Sequence, residues 1–176
     1  MNARETEEEA STSRAVAAPL ISIIMLIVIV LGFSTYWWHI AALNTCTADH
    51  LKISLGQAQG TAGTSYMDVI LTNTGAGRCM LSGFPTVFLA NSNGTILGSG
   101  AAASPTYAPQ RLNLLHNSSA HASVGFPDAG NFAAGACSGA SDKLEVYPPG
   151  LTTNLQIPFT QYSCPGFSTT SLKVGS

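Results

Sequence analysis

Tyr66-Met67-Asp68-Val69-Ile70-Leu71-Thr72-Asn73-Thr74-Gly75-Ala76-Gly77 is the stretch whose reading decides the fold. Met67, Val69 and Leu71 fall on one side of an extended chain and Tyr66, Asp68 and Ile70 on the other, the period-two pattern of a half-buried strand. Asn73 to Gly77 then supplies turn chemistry. The pattern recurs in both directions. Leu51, Ile53 and Leu55 alternate with Lys52 and Ser54, and Val87 and Leu89 follow Gly83-Phe84-Pro85. Beyond an Asn93-Gly94 turn come Leu112 to Leu115, then Asn117-Ser118-Ser119 leading into Ala122, Val124 and Phe126. Leu144 and Val146 are stopped by Pro148-Pro149-Gly150. Leu155, Ile157 and Phe159 alternate with Asn154, Gln156 and Pro158, where the proline predicts an edge strand. Leu172 and Val174 close the series. Helical periodicity is absent from residue 46 onward. About seven or eight short strands separated by turns predict an all-β immunoglobulin-like antiparallel sandwich, with a small barrel as the alternative. Residues 98–109 are Gly, Ala, Ser and Pro without period, and predict a mobile loop.

Upstream, residues 15–38 run about 24 positions without a charged side chain. A helix of that length covers roughly 36 Å, enough for a ~30 Å hydrocarbon core. This predicts one transmembrane α-helix, a signal anchor over residues 15–40, with Tyr36, Trp37 and Trp38 at the membrane interface. Arg4 and Arg14 precede it, which predicts a cytoplasmic N-terminal tail (1–14), a short linker (41–45) and an extracytoplasmic domain (46–176). A cleaved signal peptide would carry a shorter apolar run and a small-x-small site, whereas cleavage after Ala42 would put Ile40 at the minus-three position. Lipidation at Cys46 would follow Asn44-Thr45 in place of small residues and leave an odd number of cysteines.

From Thr47 onward five basic residues balance five acidic ones. A neutral domain with no basic stripe argues against nucleic acid as a partner. Cys46, Cys79, Cys137 and Cys164 lack the close ligand pairs of a zinc site and predict disulfides in an oxidising compartment. Four cysteines permit three connectivities, which sequence alone does not choose among. The expectation adopted is Cys46 with Cys79 and Cys137 with Cys164.

In order and spacing these features resemble the actinobacterial extracytoplasmic family called domain of unknown function 4232. The matching residues are Leu71-Thr72-Asn73-Thr74-Gly75, Cys79, Gly83-Phe84-Pro85 with Val87, Leu112, Asn117-Ser118-Ser119-Ala120, and the alternating Ala122, Val124 and Phe126. Cys137, Val146, Pro148-Pro149-Gly150 and Cys164 complete the set. The resemblance implies an envelope-exposed β-sandwich with two disulfides in an actinobacterial cell, and no assigned activity. The chain departs from the usual family pattern in its anchor, with about seven residues between Trp38 and Cys46, which places the domain close to the membrane and favours a protein partner in or at it.

No residue pattern amounts to a catalytic signature, so the chain is not expected to be an enzyme or to need a cofactor. His116, His121 and Asp128 with Ser118, Ser119 or Ser123 contain the residue types of a Ser-His-acid set, but a nucleophile elbow is missing. His116 and His121, with His50, are weak metal candidates, since one histidine pair supplies too few ligands. Asp68 interrupts an apolar strand, with Arg78 or Tyr66 as its candidate partner. Phe84-Pro85 and Tyr147-Pro148 are steps at which a cis bond is to be sought. The leading expectation is a non-catalytic tethered interaction module or accessory subunit, with residues 98–109 and the tip at 73–78 as contacts. The alternatives are a small-ligand or metal-binding envelope protein using His116 and His121, and, third, a hydrolase.

Overall fold

The structure is a computed structural model that describes residues 25–32 and 45–175, apart from residues 106 and 107. The chain divides into two compact units, Met1–Leu43 and Asn44–Ser176. In the first, residues 25–32 are helical and the seven apolar side chains from Met25 to Leu31 are all exposed. The membrane helix expected over 15–40 is described only along this segment, and among the described residues no helix is long and apolar enough to cross a membrane. The remainder of that stretch, with Tyr36, Trp37 and Trp38, lies outside the described residues.

The second unit is built of strands. After a 3-10 turn at Ala48–His50 come β1 (Leu51–Leu55), β2 (Gln59–Thr61) and β3 (Thr64–Asn73). Then follow β4 (Cys79–Ser82), β5 (Thr86–Ala90), β6 (Ala102–Ala103), β7 (Arg111–Leu114) and β8 (Ser119–Pro127). A 3-10 turn at Ala129–Asn131 precedes β9 (Ser138–Ala140), β10 (Lys143–Tyr147) and β11 (Leu155–Pro158). The chain ends with β12 (Tyr162–Ser163), β13 (Ser168–Thr169) and β14 (Lys173–Gly175). The larger sheet has the order β1-β3-β8-β13-β6, with β2 added to β3 and β14 to β8. A three-stranded sheet has the order β11-β10-β5, so the strand carrying Pro158 is at an edge, as a proline without a donor requires. Two short pairs, β4 with β7 and β9 with β12, complete the domain.

The long antiparallel pairing of β3 with β8 is the spine, running in register from Thr64 opposite Pro127 to Thr72 opposite Ser119. Leu71 faces Ala120 and Val69 faces Ala122, so at these two inward steps a large side chain meets a small one, and all four are buried. Val87 and Leu89 of β5, Leu144 and Val146 of β10, and Leu112 and Leu114 of β7 complete the core from other strands. At one end Phe126 stacks on Phe167 with ring centroids 5.2 Å apart and packs against Phe159 at 4.9 Å. Offset and tilted pairs of this kind add to the area they bury.

The strand count exceeds the seven or eight expected because β2, β6, β9, β12 and β13 hold only two or three residues each, too few to show a period, and because β4, with four, is added to them. The described part of 98–109 also differs from a free loop. Ala101 N–H donates to Val87 O at 2.8 Å, and Ala102 N–H to Phe167 O at 2.9 Å, so this segment passes from the edge of the smaller sheet to the larger one. There β6 pairs in parallel with β13. The alternating pattern missed it because Gly, Ala and Ser have no apolar rhythm.

Candidate functional site

Cys46 pairs with Cys79 and Cys137 with Cys164, closing separations of 33 and 27 residues. The first bond ties the entry of the domain to β4. The second ties the stretch before β9 to the segment after β12.

Asn73, at the end of β3, is 1% exposed and is the polar centre of this end of the domain. Its side-chain amide donates to Gly77 O at 2.7 Å and to Leu114 O at 3.0 Å, and its Oδ1 accepts from Gly75 N–H at 2.9 Å. Its backbone N–H donates to Ser118 O and its carbonyl accepts from Asn117 N–H. A buried amide must satisfy its donors and acceptor within the protein, and Asn73 does so by stitching the 74–78 loop to the 114–118 turn. Asn117 stands in that turn with φ +63°, the left-handed conformation that asparagine tolerates better than most side chains. His116 joins from the same turn, its Nδ1 lying 2.8 Å from Gly75 O.

The turn forms one rim of a surface depression of about 490 Å³ on the outer face of the larger sheet. Asp68 and Ile70 of β3, Ser119 and His121 of β8, and Val174 and Gly175 of β14 line the rest, with Asn117 and Ser118 at the rim. Strand periodicity puts them together, since 68 and 70 on β3 and 119, 121 and 123 on β8 share the outward face. Ile70 stands opposite His121, Asp68 opposite Ser123, and Lys173 opposite His121 on the other side. The His121 ring sits against Gly175, where a side chain would collide with it. One outward step further along β3, Tyr66 leans over Gly125, whose Cβ would meet ring carbon Cε1 at 2.9 Å, and Tyr66 remains 39% exposed.

Other sequence candidates disperse. His116 belongs to the loop stitch and His121 to the sheet face. Asp128 serves the turn that follows β8, its Oδ1 accepting from Gly130 N–H at 3.0 Å. Ser118 Oγ donates to Leu115 O, and Ser119 Oγ pairs with Thr72 Oγ1 at 2.9 Å. Asp68 lies on the outer face across from Ser123, with neither Arg78 nor Tyr66 as its strand partner. His50 lies beside Asp49, 3.9 Å between Nε2 and Oδ2. The Asp49 carboxyl is held below its ordinary value of 3.8, first by the Thr47 hydroxyl, then by a backbone hydrogen bond, with His50 adding a smaller attraction. Among the described residues no group of three or more His, Cys, Asp or Glu side chains could hold a metal ion, and no peptide bond is cis.

Sequence reasoning missed Glu145. It lies between Leu144 and Val146 and is itself only 5% exposed. Its carboxylate accepts from Asn154 Nδ2 at 2.9 Å and Gln156 Nε2 at 3.2 Å, and Lys143 Nζ stands 3.6 Å away. Fully partnered, it locks β10 to the β11 edge. The signal available was the polar run Asn154, Gln156 with Lys143 and Glu145 at matching strand steps.

Fold and staples together define a small, disulfide-stapled all-β domain. The chain belongs to the family described as Domain of unknown function (DUF4232), whose model matches residues 46–176. No curated protein matches the chain.

Proposed function

We propose that this protein is a non-catalytic interaction module: an immunoglobulin-like sandwich held on the outer side of the cell membrane by a single-pass helix within residues 15–40. It serves as an accessory subunit of a membrane or envelope complex. The observation that carries the reading is the pairing of all four cysteines into two disulfides, since such bonds persist in oxidising compartments and are rare in the cytosol. The uncharged run of residues 15–38 supports the tether, and the described helical segment 25–32 within it exposes apolar side chains throughout. The tether supplies co-localisation, which raises the effective concentration of a binding surface without new contacts. The rigid strand framework supplies the surface.

The test is purification of the tagged full-length chain from its native membrane, with native mass measurement and identification of co-purifying chains. Recovery in the membrane fraction with a stoichiometric partner or an envelope component is the expected result. Recovery of the intact chain from the soluble fraction, with its cysteines reduced, would overturn the reading.

A further inference from the structure

We propose that the outer face of the larger sheet, from Tyr66 across Asp68 and His121 to Asn117, binds a neutral saccharide unit of an envelope polymer. The inference rests on the extracytoplasmic module reading and names what the module would hold. The depression of about 490 Å³ falls within the ~300–1,000 Å³ of small-molecule sites.

Its lining selects the ligand chemistry. Asp68 offers a carboxylate acceptor, Asn117 an amide, Ser118 and Ser119 hydroxyls and His121 an imidazole, while Ile70 and Val174 supply aliphatic surface. A sugar presents the same alternation, hydroxyls that both donate and accept around C–H faces that are apolar. An anionic ligand would meet the Asp68 carboxylate. A polyanion such as nucleic acid finds no basic stripe, because the domain carries equal numbers of acidic and basic residues.

Tyr66 extends the face. It and Ile70 are four residues apart on one strand, about 13 Å at the usual strand rise, which gives room for a disaccharide. Gly125 lets the Tyr66 ring settle across the neighbouring strand while the rest of the ring stays open to solvent. An exposed aromatic ring two residues from the Asp68 carboxylate on the same strand face provides a C–H stacking surface with a hydrogen-bond acceptor beside it. The rim turn is fixed from below by the Asn73 backbone bonds to residues 117 and 118, so the site is preorganised.

The experiment is saturation-transfer NMR on the full-length chain in a detergent without a sugar headgroup, with maltose and N,N′-diacetylchitobiose as probes. Transfer to the ring protons of at least one probe is expected. Tyr66→Ala and Asp68→Asn should each weaken binding about fivefold to tenfold, and Tyr66→Phe should stay within about twofold of the wild type because the ring is kept. Tyr162→Ala, which removes an exposed tyrosine on β12, should have no effect. Near-ultraviolet circular dichroism checks that each variant is folded. No transfer to either probe, binding indifferent to both Tyr66→Ala and Asp68→Asn, or binding lost in Tyr162→Ala would each overturn the proposal. Those outcomes leave the module reading intact, which fails only on fractionation and cysteine state.

Discussion

Asn73→Ala should be the most damaging single polar substitution in the domain. Asn73 is 1% exposed, and its side chain makes three hydrogen bonds to backbone groups, at Gly75 N, Gly77 O and Leu114 O. A hydrogen bond contributes about 1 kcal/mol net, but a buried group left without its partner costs about 1–3 kcal/mol. Gly75 is buried, and the Leu114 bond is internal, so water cannot replace every contact. The loss summed over these groups is about 3–5 kcal/mol. For a domain of this size that corresponds to a fall in Tm of about 10–20 °C. Thermal unfolding of the oxidised protein, followed by circular dichroism, measures it. Asn73→Asp keeps the acceptor for Gly75 N–H but sets a carboxylate against two carbonyl oxygens, so it should be no better than alanine. A fall of less than about 3 °C in Asn73→Ala would refute the reasoning, because it would mean that the 74–78 loop and the 114–118 turn hold each other without this amide.

Replacing Cys137 and Cys164 together by serine should cost about 3–4 kcal/mol in the chain-entropy model, read as a lowered denaturant midpoint in non-reducing buffer. Leu144→Ala, at a fully buried core position, should cost about 2–5 kcal/mol by the same measurement. Gly125→Ala should displace the Tyr66 ring, since its Cβ would sit 2.9 Å from Cε1, and the tyrosine side-chain NMR shifts should report it. Asp49 should titrate below 3.8 because the folded state favours its charged form. Its stabilising contribution is therefore present above the unfolded value and is lost as pH falls through the folded one. NMR titration of Thr47→Ala should return the carboxyl toward 3.8.

Sequence by itself determined the β class, the inward sides of the main strands and the edge position of the Pro158 strand. Each follows from a local rule: period-two alternation names a buried face, and a missing N–H donor excludes an interior strand. The family was legible for a related reason, since Leu71-Thr72-Asn73-Thr74-Gly75, the cysteines and the Pro-Pro-Gly stop carry it in their order. Only the tertiary structure decided the rest. Asn73 reads as a turn residue, and its role as a buried stitch depends on carbonyls 4 and 41 residues away. Residues 98–109 have no rhythm to read, and the place of Ala101 and Ala102 between the sheets is fixed by their backbone bonds to Val87 and Phe167. Glu145 looks like the polar face of a strand until Asn154 and Gln156 close over it. His116 and His121 are neighbours in sequence, yet one faces a loop carbonyl and the other a glycine on the sheet face. Alternation tells which way a side chain points. Which residue of a distant strand it meets depends on register, and register is settled by the packing of the whole core at once.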